Sequence, residues 1–167
     1  AQNDVVINSG VTTTTGTISA IADDDIIVSV TGTIATISGS VNLVADDDAN
    51  GNGTIDVSAI VDHGSGGTTV SLSDVDGVIS GNIINSGGFT KTGSGTLALT
   101  AMNSYGGTTT ISNGSLLING TILGDVSIDG GVLGGTGTIA GAVSMSASGL
   151  AIAPGTSPGR LIVDNDV

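Results

Sequence analysis

The stretch Gly53-Thr54-Ile55-Asp56-Val57 shows the pattern that decides the fold: after a glycine, apolar side chains alternate with polar ones. Such alternation is typical of a short β-strand with one buried face. The tripeptide Gly-Thr-(Ile/Leu) begins six stretches, at Gly16, Gly32, Gly53, Gly95, Gly120 and Gly137. Their spacings of 16, 21, 42, 25 and 17 residues indicate a loose repeat of about 20 residues, which is typical of solenoid proteins.

The composition favours strands and turns over helices. The 167 residues include 29 glycines, and all 15 acidic residues are aspartate. Glutamate and lysine are common on helix surfaces and glycine destabilises helices, whereas Asp, Asn, Ser and Gly are frequent in turns. Phe89 and Tyr105 are the only Phe, Tyr or Trp residues, so the core must be built mainly from Val, Ile, Leu and Ala. These features predict an all-β fold.

Three all-β architectures contain many short strands: the sandwich, the propeller and the β-helix. The units are too short for four-stranded propeller blades, and a sandwich normally has longer strands and core aromatics. We therefore predict a parallel β-helix, a β-solenoid that forms a single-stranded rod. About 20 residues per turn give about eight turns, stacked about 4.8 Å apart. Aliphatic side chains should stack inside, and Thr, Ser and Asn should stack outside.

The charge distribution excludes several functions. The formal net charge is −13, with Lys91 and Arg160 as the only Lys or Arg residues, so nucleic acid would be repelled. Most aspartates lie in residues 1–76. We therefore divide the chain into acidic, degenerate β-helix repeats at 1–86 and further β-helix turns at 87–167. Cysteine is absent, and no apolar run is long enough for a transmembrane helix.

A dense motif occupies residues 87–120. A hydrophobic residue precedes Thr-Lys-x-Gly-x-Gly-Thr-Leu, and Asn-x-Tyr-x-Gly and Gly-x-Leu follow. The motif is met by Phe89, Thr90, Lys91, Gly93, Gly95, Thr96, Leu97, Asn103, Tyr105, Gly107, Gly114 and Leu116. This stretch resembles the passenger-associated repeat of autotransporters, and residues 130–163 resemble the segment that commonly follows that repeat.

The resemblance implies a right-handed parallel β-helix that is exported across the outer membrane to the bacterial surface or the medium. It implies a structural passenger segment of an autotransporter or surface adhesin, with an outer-membrane translocator barrel as its partner. A host or cell-surface ligand, protein or glycan, would bind the displayed rod. Within this framework we expect Lys91 to hold a ladder position and Tyr105 to cover a turn.

One acidic stretch is a candidate calcium site. From Asp48 onward, oxygen-bearing side chains recur at alternate positions and are followed by a glycine, as in the first half of a calcium-binding loop. The candidate ligands are Asp46, Asp48, Asn50 and Asn52. The bidentate acid expected later in such a loop is replaced by Ala59, so the alternative is a polar loop that joins two strands. Asp23-Asp24-Asp25 should lie beside this stretch in the preceding turn.

The sequence gives only weak support for a catalytic site. Gly155-Thr156-Ser157-Pro158-Gly159 matches the nucleophile-elbow pattern, but that motif requires a strand, a sharp turn and a helix. His63, beside a Gly-Ser-Gly-Gly stretch, is expected in an exposed loop. We expect neither an enzyme nor a cofactor other than calcium. The alternatives are a carbohydrate-active β-helix lyase or hydrolase that uses aspartates, and a calcium-stabilised surface repeat.

Overall fold

The computed structural model describes residues 3–29, 31–146, 148, 150–155 and 159–165. These residues form 22 short β-strands, and every pairing between them is parallel. Within this part of the chain there is no helix with the length and apolar character needed to cross a membrane. The fold is therefore all-β, as predicted.

The strands stack into a coil with three sides. The first side is an eight-stranded sheet of β1 (Val5–Ile7), β4 (Ile26–Val28), β7 (Ile55–Val57), β10 (Gly77–Ile79), β13 (Thr96–Leu99), β15 (Ser115–Ile118), β18 (Val132–Gly135) and β21 (Ala151–Pro154). The second is a seven-stranded sheet of β3 (Ile18–Ile21), β6 (Val41–Ala45), β9 (Thr68–Leu72), β12 (Phe89–Thr92), β14 (Thr109–Ile111), β17 (Val126–Ile128) and β20 (Val143–Met145). The third side holds two short sheets, β2 (Val11–Thr13), β5 (Thr33–Thr36), β8 (Ile60–Asp62) and β11 (Ile83–Ile84), then β16 (Thr121–Ile122), β19 (Thr138–Ile139) and β22 (Ile162–Val163).

The predicted parallel β-helix is confirmed, with about seven turns rather than eight. The eight strands of the first side are separated by seven turns of the coil. One turn is unusually long, because Ile26 pairs with Ile55 and residues 46–54 are inserted between β6 and β7. The right-handed sense and the division at residues 86 and 87 stay predictions. Strands from both segments share the two long sheets.

The core is a column of aliphatic side chains inside the coil. On the seven-stranded side, Leu43 pairs with Val70, and further along the same column Ile111 pairs with Ile128; all four side chains are fully buried. At the corners, successive turns meet backbone to backbone. A Cβ atom on Gly81 would lie 1.7 Å from the carbonyl oxygen of Ala59, so only glycine fits there.

The outer faces of the two long sheets differ in chemistry. The central outward column of the seven-stranded sheet is Ser19, Asn42, Thr69, Thr90, Thr110, Ser127 and Ser144. The corresponding column of the eight-stranded sheet is Val6, Ile27, Asp56, Val78, Ala98, Leu117, Gly134 and Ala153. The predicted outward stacking of polar residues is confirmed for the first column and wrong for the second. Aliphatic side chains stabilise a sheet by packing across neighbouring strands even on an outer face.

Candidate functional site

A cluster of buried polar and aromatic side chains lies in the core around β12 and the loop that follows β13. Phe89 and Tyr105 stack with ring centroids 6.0 Å apart, and the His63 ring meets Tyr105 edge-on at 5.8 Å. The Tyr105 hydroxyl and Thr109 Oγ1 lie 2.7 Å apart in a hydrogen bond. Burial raises the pKa of the Tyr105 hydroxyl well above its usual range. Tyr105 is therefore a core residue that links successive turns, and the expectation that it covers a turn is wrong.

His63 is buried, so its predicted position in an exposed loop is also wrong. Its Nδ1 atom lies 2.9 Å from Thr68 Oγ1, while its Nε2 atom is buried without a hydrogen-bond partner. Desolvation lowers the pKa of the imidazole. The glycine that follows His63 allows the chain to pass close to the preceding turn. Gly64, at a φ of 54°, packs against the backbone of Ile37.

Lys91 is fully buried in the strand that also carries Phe89. It holds a ladder position between Val70 and Ile111, as expected, but its side chain lies inside the coil. The Nζ atom donates to the carbonyl oxygens of Thr92, at 2.5 Å, and Gly93, at 2.9 Å. Burial lowers the pKa of this ammonium group to about 8. Lys91 thus satisfies two backbone acceptors where the chain leaves β12.

Asn103 lies next to the same region, on the third side of the coil. β11 is the last strand of the first short sheet, and the next turn places Asn103 beside it. The Asn103 Oδ1 atom accepts the backbone N–H of Ile83 at 2.9 Å, and its Nδ2 atom donates to Ala101 O at 3.1 Å. The side chain of Asn103 therefore replaces one backbone acceptor at this level of the coil, while the Ser104 N–H donates to Ile83 O at 3.0 Å.

The candidate calcium residues lie in an acidic loop, residues 46–54, at the corner between β6 and β7. Asp46 is fully buried with a φ of 57°. Its carboxylate accepts the backbone N–H groups of Asn50 at 2.8 Å and Gly51 at 3.2 Å. Because a buried carboxylate without partners would be costly, these bonds explain both its burial and the path of the loop.

The other three candidate ligands are exposed. Asn50 Nδ2 donates to Asp48 Oδ2 at 2.8 Å, and the Asn52 backbone N–H donates to Asn50 Oδ1 at 2.9 Å. The structure thus brings the predicted residues into one loop, where several of their oxygens already accept hydrogen bonds. Across the described ranges, no group of three or more His, Asp or Glu residues is placed to hold a metal ion. The calcium site stays a prediction.

The second acidic triplet occupies the same corner one turn earlier. The Asp47 backbone N–H donates to Ala22 O at 3.2 Å, which places the two stretches in successive turns. Asp24 is nevertheless directed toward the turn before it, since its carboxylate accepts the Asn3 backbone N–H at 3.3 Å. The carboxylates of Asp24 and Asp46 therefore bind different parts of the chain.

A groove of about 480 Å³ crosses the third side, lined by Thr12, Thr13, Thr14, Ala35, Thr36, Ile37, Asp62 and Asn85. Its single carboxylate, Asp62, accepts hydrogen bonds from Asn85 Nδ2 and the Gly64 N–H. The neighbouring His63 is bonded to Thr68 inside the core and not to an acid. This arrangement gives no paired acid and base. Residues 156–158 of the nucleophile-elbow pattern lie outside the described residues.

Residues 89–118 match a family model described as the passenger-associated-transport-repeat. The match covers 30 of the 167 residues. The resemblance inferred from residues 87–120 is thereby confirmed. The repeat contains Phe89, Lys91, Asn103 and Tyr105, whose side chains are all buried. Its conspicuous polar and aromatic residues therefore join neighbouring turns of the coil.

Two curated proteins resemble a larger part of the chain. An extracellular serine protease of Serratia marcescens is 44% identical over 88 residues, which are 52% of this chain and 8% of that protein. The adhesin BmaC autotransporter of Brucella suis biovar 1 (strain 1330) is 39% identical over 109 residues, which are 62% of this chain and 3% of that protein. The chain thus corresponds to a small part of each relative. No solved structure matches it.

Proposed function

We propose that this chain is a β-helical passenger segment of an autotransporter or surface adhesin, exported across the outer membrane and displayed on the cell surface or released. Its role is structural, because it forms a rod that holds or presents adhesive regions. The observation that carries the proposal is the coincidence of the passenger-associated-transport-repeat with the buried residues that join successive turns. Its translocator would be an outer-membrane barrel of the same parent protein.

The architecture suits export as an unfolded chain. Every strand pairing in the described part of the chain joins adjacent turns, so each turn needs only its neighbour to complete its hydrogen bonds. Cysteine is absent, so no disulfide can form before the chain has crossed the membrane. A coil of this kind can grow turn by turn as it emerges.

The geometry favours a scaffold over a catalyst. The serine protease relative aligns with this chain over 8% of its own length, so its protease activity is that of a much larger protein. In the described part of the chain, His63 is buried against Tyr105 and Thr68, and Asp62 is bonded to Asn85. General acid–base catalysis requires a titratable group within reach of a substrate. The His63 ring is enclosed in the core, and Asp62 is the single carboxylate among the residues that line the groove.

The proposal is tested by exporting the chain. Residues 1–167 are fused between a secretion signal and an autotransporter translocator, with an epitope tag at the amino-terminal end of the segment. We expect the tag to be detected on intact bacteria by antibody and removed by added protease. The matched variant is a fusion with Asn103→Asp and Tyr105→Asp. These substitutions disrupt the buried contacts of both side chains, so this fusion should be displayed less.

Two outcomes of this experiment would contradict the proposal. If the tag remains in the periplasm while a tag-only fusion reaches the surface, the segment is not an export-competent passenger. Equal display of the wild-type and double-variant fusions would show that the buried contacts of Asn103 and Tyr105 have no role in export.

A further inference from the structure

The outer face of the eight-stranded sheet carries an aliphatic stripe that is interrupted by Asp56 and Gly134. We define the stripe as the outward column Val6, Ile27, Asp56, Val78, Ala98, Leu117, Gly134 and Ala153, one residue from each strand. Val6 is 51% exposed and Val78 is 41% exposed. At about 4.8 Å per strand, the stripe is about 34 Å long. An aligned apolar surface of this length is unlike scattered surface hydrophobics and marks an interaction site.

An acidic ridge lies along one edge of the stripe, mainly beside its first four strands, with Asp129 further along. We define the ridge as the aspartates in the corner segments before the strands of that sheet: Asp4, Asp23, Asp24, Asp25, Asp46, Asp47, Asp48, Asp74, Asp76 and Asp129. It contains ten of the 15 aspartates of the chain, so most of the negative charge lies beside the apolar face. Asp24 and Asp46 are buried, while the others reach the surface.

Charge complementarity selects the partner. A second copy of the chain would bring another net charge of −13 against the ridge, and Lys91 is buried and unavailable to neutralise it. Nucleic acid and anionic membranes carry the same sign of charge and would be repelled. A partner that fits must be apolar on one side and positively charged beside it.

The direction of the stripe adds a second requirement. It crosses the strands, whose backbone groups are already paired within the sheet, so a bound peptide must satisfy its own backbone hydrogen bonds. An α-helix does so, and a helix of about 22 residues matches a length of about 34 Å. The narrow apolar column also suits the single apolar face of an amphipathic helix.

We propose that the stripe and the acidic ridge together form a docking surface for a cationic amphipathic α-helix lying along the axis of the coil. The apolar face of the helix packs on Val6, Ile27, Val78, Ala98 and Leu117, and its lysines or arginines face the ridge. Asp56, the one charged member of the stripe, is 3.3 Å from Ser58 Oγ and is exposed to pair with a cation. This surface includes Ala98 and Leu117 of the passenger repeat, but its proposed role does not depend on the export route.

The test uses the 167-residue chain and a fluorescent synthetic peptide of about 22 residues made of leucine and lysine at amphipathic helical spacing. Anisotropy should show binding that weakens as salt is raised, because exposed charges are screened over about 10 Å at 0.1 M. Val78→Thr combined with Leu117→Thr should weaken binding at least about tenfold by removing apolar contact. Thr90→Val on the seven-stranded face is the matched control and should leave binding unchanged.

Several outcomes would overturn the proposal. These are absence of binding, equal binding of a scrambled peptide of the same composition, equal binding of a glutamate-for-lysine analogue, and full binding by the double variant. Circular dichroism and thermal melting establish that the threonine variants are folded. The remaining alternative is that the stripe binds a second copy of the chain. Sedimentation of the free chain tests it, because self-association that is lost in the double variant would assign the stripe to a second copy.

Discussion

The side-chain carbonyl of Asn103 accepts the backbone N–H of Ile83 at 2.9 Å, and so takes the place of one backbone acceptor on the third side of the coil. The first short sheet ends at β11 and the next begins at β16. Between them, the turns are joined by this side chain and by separate backbone hydrogen bonds, such as Ser104 N–H to Ile83 O at 3.0 Å. The stability of this level should therefore depend on individual residues, unlike that of regular turns.

Replacing Asn103 with alanine should lower the free energy of unfolding by about 1–3 kcal/mol, since it leaves the buried N–H of Ile83 without an acceptor. The exposed Asn82, replaced by alanine, is the matched control and should change stability by less than about 0.5 kcal/mol. Urea unfolding followed by circular dichroism measures both. Equal effects of the two substitutions would mean that Asn103 does not replace a backbone acceptor.

Lys91 should make stability rise with pH in the alkaline range. Its pKa is lowered from 10.5 to about 8 in the folded chain, so the unfolded chain binds more protons between these values, and stability increases as pH rises through them. Above about pH 10, Tyr105 acts in the opposite sense, because its raised pKa keeps the phenol protonated only in the folded chain.

Urea midpoints measured between pH 7 and 10 check this dependence. Lys91→Met removes the titrating group at similar length and should flatten the rise. A rise of the same size in the methionine variant would assign the effect to another group.

His63 predicts a loss of stability in acid. Desolvation lowers its pKa below 6.5, so the unfolded chain takes up a proton first as pH falls, and stability decreases below that value. His63→Phe keeps an aromatic ring beside Tyr105 and removes the unpaired Nε2 atom. Thermal melting at pH 5 and pH 7 should show a smaller difference for this variant than for the wild type; an unchanged difference would exclude His63 as the cause.

Asp46 should stabilise the acidic loop more than its exposed neighbours do. Asp46→Ala removes the acceptor for two backbone N–H groups and places alanine at a positive φ, so we expect a loss of about 1–3 kcal/mol. Asp48→Ala, on the exposed rim, should cost less than about 0.5 kcal/mol. Chemical unfolding in EDTA measures the free energy of unfolding without any metal contribution. Similar losses for both variants would contradict the assigned roles.

The calcium hypothesis is tested on the same loop. Calcium bound to the folded chain alone should raise the melting temperature relative to EDTA by mass action, and Asp48→Ala should remove that increase. An unchanged midpoint in calcium would eliminate the predicted site.

The sequence predicted the fold because alternating apolar residues and glycine-rich corners leave few architectures open. It located the turns less well. Gly16, Gly32 and Gly53 precede strands on three different sides, so the Gly-Thr-(Ile/Leu) tripeptide marks strand starts and not one position in each turn. The inserted acidic loop lengthens one turn, since the register partners Ile26 and Ile55 are 29 residues apart, whereas Val5 and Ile26 are 21 residues apart.

Two buried residues were harder to predict, for different reasons. Lys91 lies two residues after Phe89 in Phe89-Thr90-Lys91-Thr92, so both side chains lie on the same face of the strand. This alternation already indicates an inward side chain for Lys91 despite its charge. For His63 no such signal exists, because a single polar residue before several glycines is typical of an exposed turn. Its burial depends on tertiary packing against Tyr105, which lies two turns later in the coil.

The central claim is that consecutive turns stack in parallel register, and a cysteine-pairing experiment tests it most directly because the chain has no cysteine of its own. Thr90 and Thr110 are register partners on the outer face, and Ser127 is the partner of Thr110 one strand further. Register partners in neighbouring strands lie about 4.8 Å apart and two strands lie about 9.6 Å apart, while a disulfide requires Cα atoms within about 7 Å. Oxidation should therefore cross-link Thr90→Cys/Thr110→Cys and leave Thr90→Cys/Ser127→Cys unlinked. The reverse pattern, or equal yields from the two pairs, would contradict the stacked solenoid.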